Sequence, residues 1–186
     1  MMAIVGFVKN GNVYMAGDTL GSNGFTKSEY TESKVFINGD FILGYTSSFR
    51  FGEILEYNFK PPKQENGVSD KRYLVTSFIP ELRKCLEENK YTAKDQAGTS
   101  GTALLGYKGK LYKLQDDFSI LEASVGYDSC GSGEYHCEAV LWSLCDSKLH
   151  PKKIVRKAIQ CASEKVTSVG GTITVKVLKS NKGGKD

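Results

Sequence analysis

The strongest constraint on the fold is a change of period along the chain. "MAIVGFVK" and "VYMAGD" are apolar, β-rich runs separated by "NGN", and Asn-Gly readily takes the positive φ angles of a tight hairpin turn. "KVFIN" and "FILGYT" repeat the arrangement across "GD". Between the hairpins, "GSNGFTKSEYTES" is polar and reads as a loop or irregular ribbon. From Ser48 the spacing becomes helical: Phe51, Ile54, Leu55 and then Asn58 or Phe59 recur every three to four residues, with Ser47 or Ser48 as cap. The paired prolines of "KPPKQENGVSD" end that helix. A second helix is expected from Ser69 or Asp70 through Leu74, Phe78, Leu82, Cys85 and Leu86, kinked at Pro80.

After the loop "AKDQAGTSG" come strand-like runs: "TALLGYK", "KLYKLQ" across a Gly-Lys turn, "SILEASV", and a short strand leading into "GYDSCGSG". The helical segments "GEYHCEAVLWSLCD" and "PKKIVRKAIQCASEKV" follow, with Pro151 suited to a first turn. "GGTITVKVLK" returns to strand. Strands, two helices, strands, two helices, strand: the order predicts an α+β protein with helices packed outside a sheet sandwich, not a βαβ nucleotide fold.

A chain of 186 residues with 40% hydrophobic and 25% charged residues can bury one sizeable core. A single domain is expected over 1–178, followed by a flexible basic tail at 179–186 carrying Lys179, Lys182 and Lys185. No run approaches the ~18 apolar residues of a membrane span, and no signal peptide is evident, so a cytoplasmic protein is expected. The net charge of +4 is mild, and basic residues are not interleaved with aromatic ones, which argues against nucleic-acid binding. Five cysteines form no disulfide framework; Cys137, Cys145 and Cys161 read as small apolar side chains in a reducing compartment.

"GSG" at 131–133 precedes a helix, where backbone N–H groups can form an anion or oxyanion site. It belongs neither to G-x-G-x-x-G nor to a Walker sequence. Without a C-x-x-C pair, and with only His136 and His150, no metal site is expected. Asp18 ends the second strand and Lys34 begins the third; if the hairpins share a sheet, both charges meet at one sheet end beside the first strand. Such a pair could shift the pKa of a neighbouring group or serve as a plain ion pair.

"AIVGFVKNGNVYMAGD" at 3–18, "SKVFINGDFILGYTSS" at 33–48 and "GYDSCGSGEYHCEAVL" at 126–141, taken in order, resemble the proteasome β-subunits and HslV, among the N-terminal-nucleophile hydrolases. The resemblance implies a four-layer αββα sandwich and a subunit that assembles into rings or stacked rings, with a protein substrate or unfoldase as partner and no cofactor. In that family a terminal threonine acts through its hydroxyl, with its own α-amine as base. Asp18 and Lys34 look like the residues that set up the nucleophile. Ser132 looks like the serine near the terminal amine. The stretch Gly44, Tyr45, Thr46, Ser47 and Ser48 looks like the oxyanion and substrate-backbone loop.

The departures are specific. Aligning the first hairpin puts Met2 at the nucleophile, with Met1 before it and Ala3 after it. Met2 has no hydroxyl or thiol, and its nitrogen is an amide while Met1 remains, as it is expected to. The family's second aspartate is replaced within "SEKVTSVGG", and its "GG" is Ser47–Ser48. The chain therefore reads as a catalytically inactive, self-assembling or partner-binding subunit. Two alternatives remain: an active threonine-type peptidase with a processed, altered or misassigned terminus, and a hydrolase whose nucleophile has moved to Cys130 or Ser129 near His136.

Overall fold

The computed structural model describes residues 2–91 and 101–180; Met1, residues 92–100 of the expected loop and the tail from 181 lie outside the described residues. The first hairpin joins β1 (Ala3–Lys9) to β2 (Asn12–Gly17) through Asn10 and Gly11, at φ 52° and 75°. The polar stretch after it forms a short ribbon, β3 (Leu20–Ser22) paired with β4 (Lys27–Glu29). The second hairpin is β5 (Val35–Asn38) and β6 (Phe41–Tyr45).

Ser48 caps α1 (Phe49–Glu53), accepting a hydrogen bond from the Phe51 N–H, and the helix widens into a π-helical turn at Ile54–Asn58. Ser69 likewise caps α2 (Asp70–Tyr73), which continues through a π-helical turn at Leu74–Phe78 into α3 (Ile79–Glu88). The disturbance expected at Pro80 takes this form. A proline ring collides with the carbonyl four residues back, and the wide turn just upstream lets the helix continue to Glu88.

Then come β7 (Ala103–Tyr107), β8 (Lys110–Leu114), β9 (Ile120–Glu122) and β10 (Tyr127–Gly131). They are followed by α4 (Glu134–Leu144), α5 (Pro151–Lys165) and β11 (Thr174–Leu178).

Two antiparallel sheets result, in the orders β10-β1-β2-β11 and β5-β6-β7-β8-β9. They face each other across Ile4, Val13, Met15, Val35, Ile42, Leu104, Leu111 and Cys130. Outside the first sheet, Ala3, Val5, Phe7 and Ala16 pack against Ile154, Val155, Ala158 and Ile159 of α5 and Leu141 of α4. Outside the second, Phe41, Leu43, Leu105 and Tyr112 meet Leu74, Phe78, Leu82 and Leu86. The layers are helix, sheet, sheet, helix, the α+β sandwich expected. Both faces of the inner strands are buried, so β1 reads as a continuous apolar run without alternation. No helix among the described residues is long and apolar enough to cross a membrane.

Candidate active site

The β1–β2 hairpin brings Asp18, just past the end of β2, back to the start of β1. Its Oδ1 accepts from the Ala3 N–H at 3.0 Å and lies 3.1 Å from Lys34 Nζ. Its Oδ2 accepts from the backbone of Leu20 at 3.2 Å and of Gly170 at 3.3 Å. Lys34 Nζ also donates to the Leu20 carbonyl at 2.6 Å. Both side chains have no exposed surface. Burial lowers the Lys34 pKa from the ordinary lysine value, while the charge of Asp18 and its hydrogen bond oppose that shift. The two residues pair, but not by the expected route: the two hairpins lie in different sheets, and the contact crosses from one sheet to the other. They also tie together four segments: the head of β1, the bend into β3, the head of β5 and the loop before β11.

Ser132 arrives at the same place from the opposite edge of the sheet, because β10 runs beside β1 with Ala3 opposite Gly131. Its hydroxyl donates to the Met2 carbonyl at 3.3 Å and lies 2.9 Å from Ser168 Oγ. Gly131 sits at φ +94°, and a Cβ there would lie 2.1 Å from the Met2 oxygen. "GSG" is thus the tight turn that lets this edge approach the chain start. Ser168, 4% exposed, completes the contact. The sequence showed only that the family's second aspartate was missing in this region. The glycine pair after Ser168 was the available signal, since Gly170 donates to Asp18.

Met2 stands at the centre of these contacts. It is 3% exposed and belongs to the core cluster that includes Phe36, Tyr45 and Phe51. It also lines a cleft of about 520 Å3 with Thr46, Ser47, Lys113, Ser132 and Glu134.

The stretch from Gly44 to Ser48 divides between packing and the cleft. Gly44 pairs with Val35 and Leu104, and a Cβ there would meet Ile4 Cγ2 at 2.6 Å and Met15 Sδ at 2.7 Å. It lets the two sheets close together, a packing role that the resemblance did not imply. Ser48 is a helix cap. Thr46 is fixed to the Thr102 carbonyl through its N–H at 2.9 Å and its hydroxyl at 3.0 Å. Ser47 adopts φ +81°, a left-handed conformation that strains a residue bearing a Cβ, and its Oγ accepts from the Thr102 N–H at 3.4 Å.

Across the cleft, Lys113 lies 3.3 Å from Asp128 and 3.7 Å from Glu134. Burial alone would lower its pKa, but Asp128, with help from Glu134, reverses the sign and holds the ammonium above its ordinary value. Nothing in the sequence pattern singled this group out. It sits on β8, opposite the terminus only because the sheets stack.

Cys130 is not placed for nucleophilic work. It lies between the sheets with no exposed surface, and burial pushes its thiol up to about 12, against the opposing charge of Lys113. Desolvation thus works against the thiolate that the alternative nucleophile at Cys130 would need. Ser129 is buried too, donating to the Glu134 carbonyl at 2.9 Å. His136 is exposed on α4, and His150 caps α5 by accepting from the Lys152 N–H at 3.2 Å. Among the described residues no three His, Cys, Asp or Glu side chains are grouped to hold a metal.

Solved structures share this architecture across nearly the whole chain. Thiobacillus denitrificans BPH in complex with epoxomicin superimposes with a TM-score of 0.81 at 20% identity, over 96% of this chain and 98% of that one. Eukaryotic HslV from Trypanosoma brucei gives 0.67 at 18% identity, covering 94% and 98% of the two chains. The Anbu (Gly-1) mutant from Hyphomicrobium sp. strain MC1 gives 0.67 at 15%, covering 95% and 81%. No family model and no curated protein matches the sequence. At these identities the likeness establishes the fold. The chain has the αββα sandwich of HslV- and proteasome-like N-terminal-nucleophile hydrolases.

Proposed function

We propose that this chain is a proteasome/HslV-like subunit that carries out no peptide hydrolysis and acts by assembling with copies of itself or by holding a protein partner. The observation that carries the reading is Met2 itself: its carbonyl accepts from Ser132, the next residue, Ala3, donates to Asp18 of the Asp18–Lys34 pair, and its side chain is a buried thioether. A thioether has no proton to give to a base and forms no acyl intermediate, so the focus of the site lacks a nucleophile. The Asp18–Lys34 pair has a full structural employment without catalysis, since it closes hydrogen bonds from four chain segments.

The same convergence supports a second reading, an active threonine-type peptidase whose terminus differs from Met1–Met2. Hydrolysis of a panel of fluorogenic peptides by the purified chain separates the two. The proposal expects no release above the buffer control, and turnover that persists through purification overturns it. Native mass measurement tests the assembly half: a ring of several copies is expected, and a strict monomer at high concentration contradicts it.

A further inference from the structure

Asn-Gly pairs occur at 10–11, 23–24, 38–39 and 66–67. In such a pair the glycine backbone nitrogen can attack the asparagine side-chain amide, because glycine has no Cβ to hinder the approach. Whether it does so depends on how firmly the two groups are held, and the fold holds these pairs differently. Asn10 and Gly11 are the central residues of the β1–β2 turn, at φ 52° and 75°, with Lys9 paired to Asn12 just outside it. Attack there would have to break the hairpin at its tightest point. Asn38 Nδ2 donates to the Leu55 carbonyl at 2.9 Å and to the Phe59 carbonyl at 2.8 Å, which ties down the nitrogen that would have to leave. Asn23 Oδ1 accepts from the N–H groups of Phe25 at 3.0 Å and Thr26 at 2.8 Å, and the Gly24 N–H donates to Ser22 Oγ at 3.1 Å. Both reacting groups are engaged there.

Asn66-Gly67 has no such restraint. Both residues are exposed, the Asn66 side chain makes no hydrogen bond among the described residues, and a Cβ built on Gly67 would meet nothing within 4 Å. Gly67 sits at φ +81°, and the turn is closed by one long backbone bond, from the Val68 N–H to the Glu65 carbonyl at 3.3 Å. Opening that bond lets the 66–67 peptide rotate toward the side chain.

We propose that Asn66 is a site of spontaneous covalent modification, at which the side-chain amide becomes a carboxylate. The Gly67 nitrogen gives its proton to hydroxide and bonds to Asn66 Cγ, and the side-chain nitrogen leaves as ammonia. Water then opens the resulting succinimide at either carbonyl, giving aspartate or isoaspartate at this position. One water is consumed, one ammonia is released, and no redox partner is involved. The net charge of +4 falls by one. In the isoaspartyl product the backbone gains a methylene inside the span that Gln64 bridges by donating to the Val68 carbonyl at 2.6 Å. The inference concerns the loop before α2 and holds whether or not the Met2 cleft reacts.

The test incubates the full folded chain in warm, mildly alkaline buffer and follows each Asn-Gly pair by peptide mapping with mass spectrometry. Asn66 is expected to convert at least about tenfold faster than Asn10, Asn23 or Asn38, into a mixture of aspartyl and isoaspartyl forms. In denaturing urea the same pairs should convert at rates within about threefold of one another, since the folded restraints are gone. Asn66→Gln, at an exposed position, should keep the parent's urea midpoint and abolish the fast release of ammonia. No conversion at Asn66 in the folded chain, equally fast conversion at any of the other pairs, or the same spread of rates in urea as in buffer overturns the proposal.

Discussion

Replacing Asp18 with Asn tests whether the Asp18–Lys34 node is a structural staple. The substitution removes a charge that faces a fully buried ammonium at 3.1 Å. It also puts an NH2 group where one carboxylate oxygen accepts. Whichever side the amide nitrogen takes, it meets donors: Ala3 N–H and Lys34 on one side, Leu20 and Gly170 N–H on the other. Breaking one partner of a buried, hydrogen-bonded pair costs about 3–5 kcal/mol. Lys34→Met leaves Asp18 with its three backbone donors and strands the Leu20 carbonyl, so it should cost less than Asp18→Asn. The double variant removes the unpaired charge, and a coupling of about 2–3 kcal/mol should appear between the two changes. Urea unfolding of the four proteins at pH 7 measures all of this. A loss below about 1 kcal/mol for Asp18→Asn, or additive single changes, would refute the staple and leave the pair to be explained by catalysis.

Two further outcomes follow from the backbone and from burial. Ser47→Gly relieves the left-handed strain at φ +81° and should stabilise the chain by about 1 kcal/mol in the same assay, despite losing a long hydrogen bond from Thr102. The chain should also lose stability in alkali. The Cys130 and Cys137 thiols are raised by burial from 9.0 to about 12, and burial raises the Tyr45, Tyr73 and Tyr112 hydroxyls further. Above their ordinary values the unfolded chain releases these protons while the folded chain keeps them. Stability should then fall by about 1.4 kcal/mol per pH unit for each group, from pH 9 for the thiols and from pH 10 for the phenols. Lys34, whose pKa is lowered, works in the opposite direction up to its unfolded value and is outnumbered. A flat urea midpoint between pH 8 and pH 11 would contradict this.

Much of the frame was legible because local chemistry and fold agree. Asn10-Gly11 sets the first hairpin, Ser48 and Ser69 cap the helices that their spacing announces, and the order of elements gives the layers. Asp18 and Lys34 were legible as strand-end charges near the head of β1, but the shared sheet expected to join them does not form, and they meet because the two sheets stack. Other features arise only when the sheets stack. The β10 register turns Cys130 into the core and leaves Ser132 at the Met2 carbonyl, one residue either side of Gly131. Apolar content does not settle that choice, since both faces of these strands are covered. Ser168 and Lys113 come from elements far away in the chain, and no local pattern marks their arrival at the cleft. The π-helical turn at Leu74–Phe78 was legible in part, since Pro80 announces a disturbance of the helix though not its form.

The central claim is that the protein works without a terminal nucleophile. Intact mass together with amino-terminal sequencing of the protein purified from its native source tests it most directly. A mature chain whose first residue is not Thr, Ser or Cys is the predicted result. A chain that begins with one of those three, with its α-amine free, would contradict it and restore the peptidase reading.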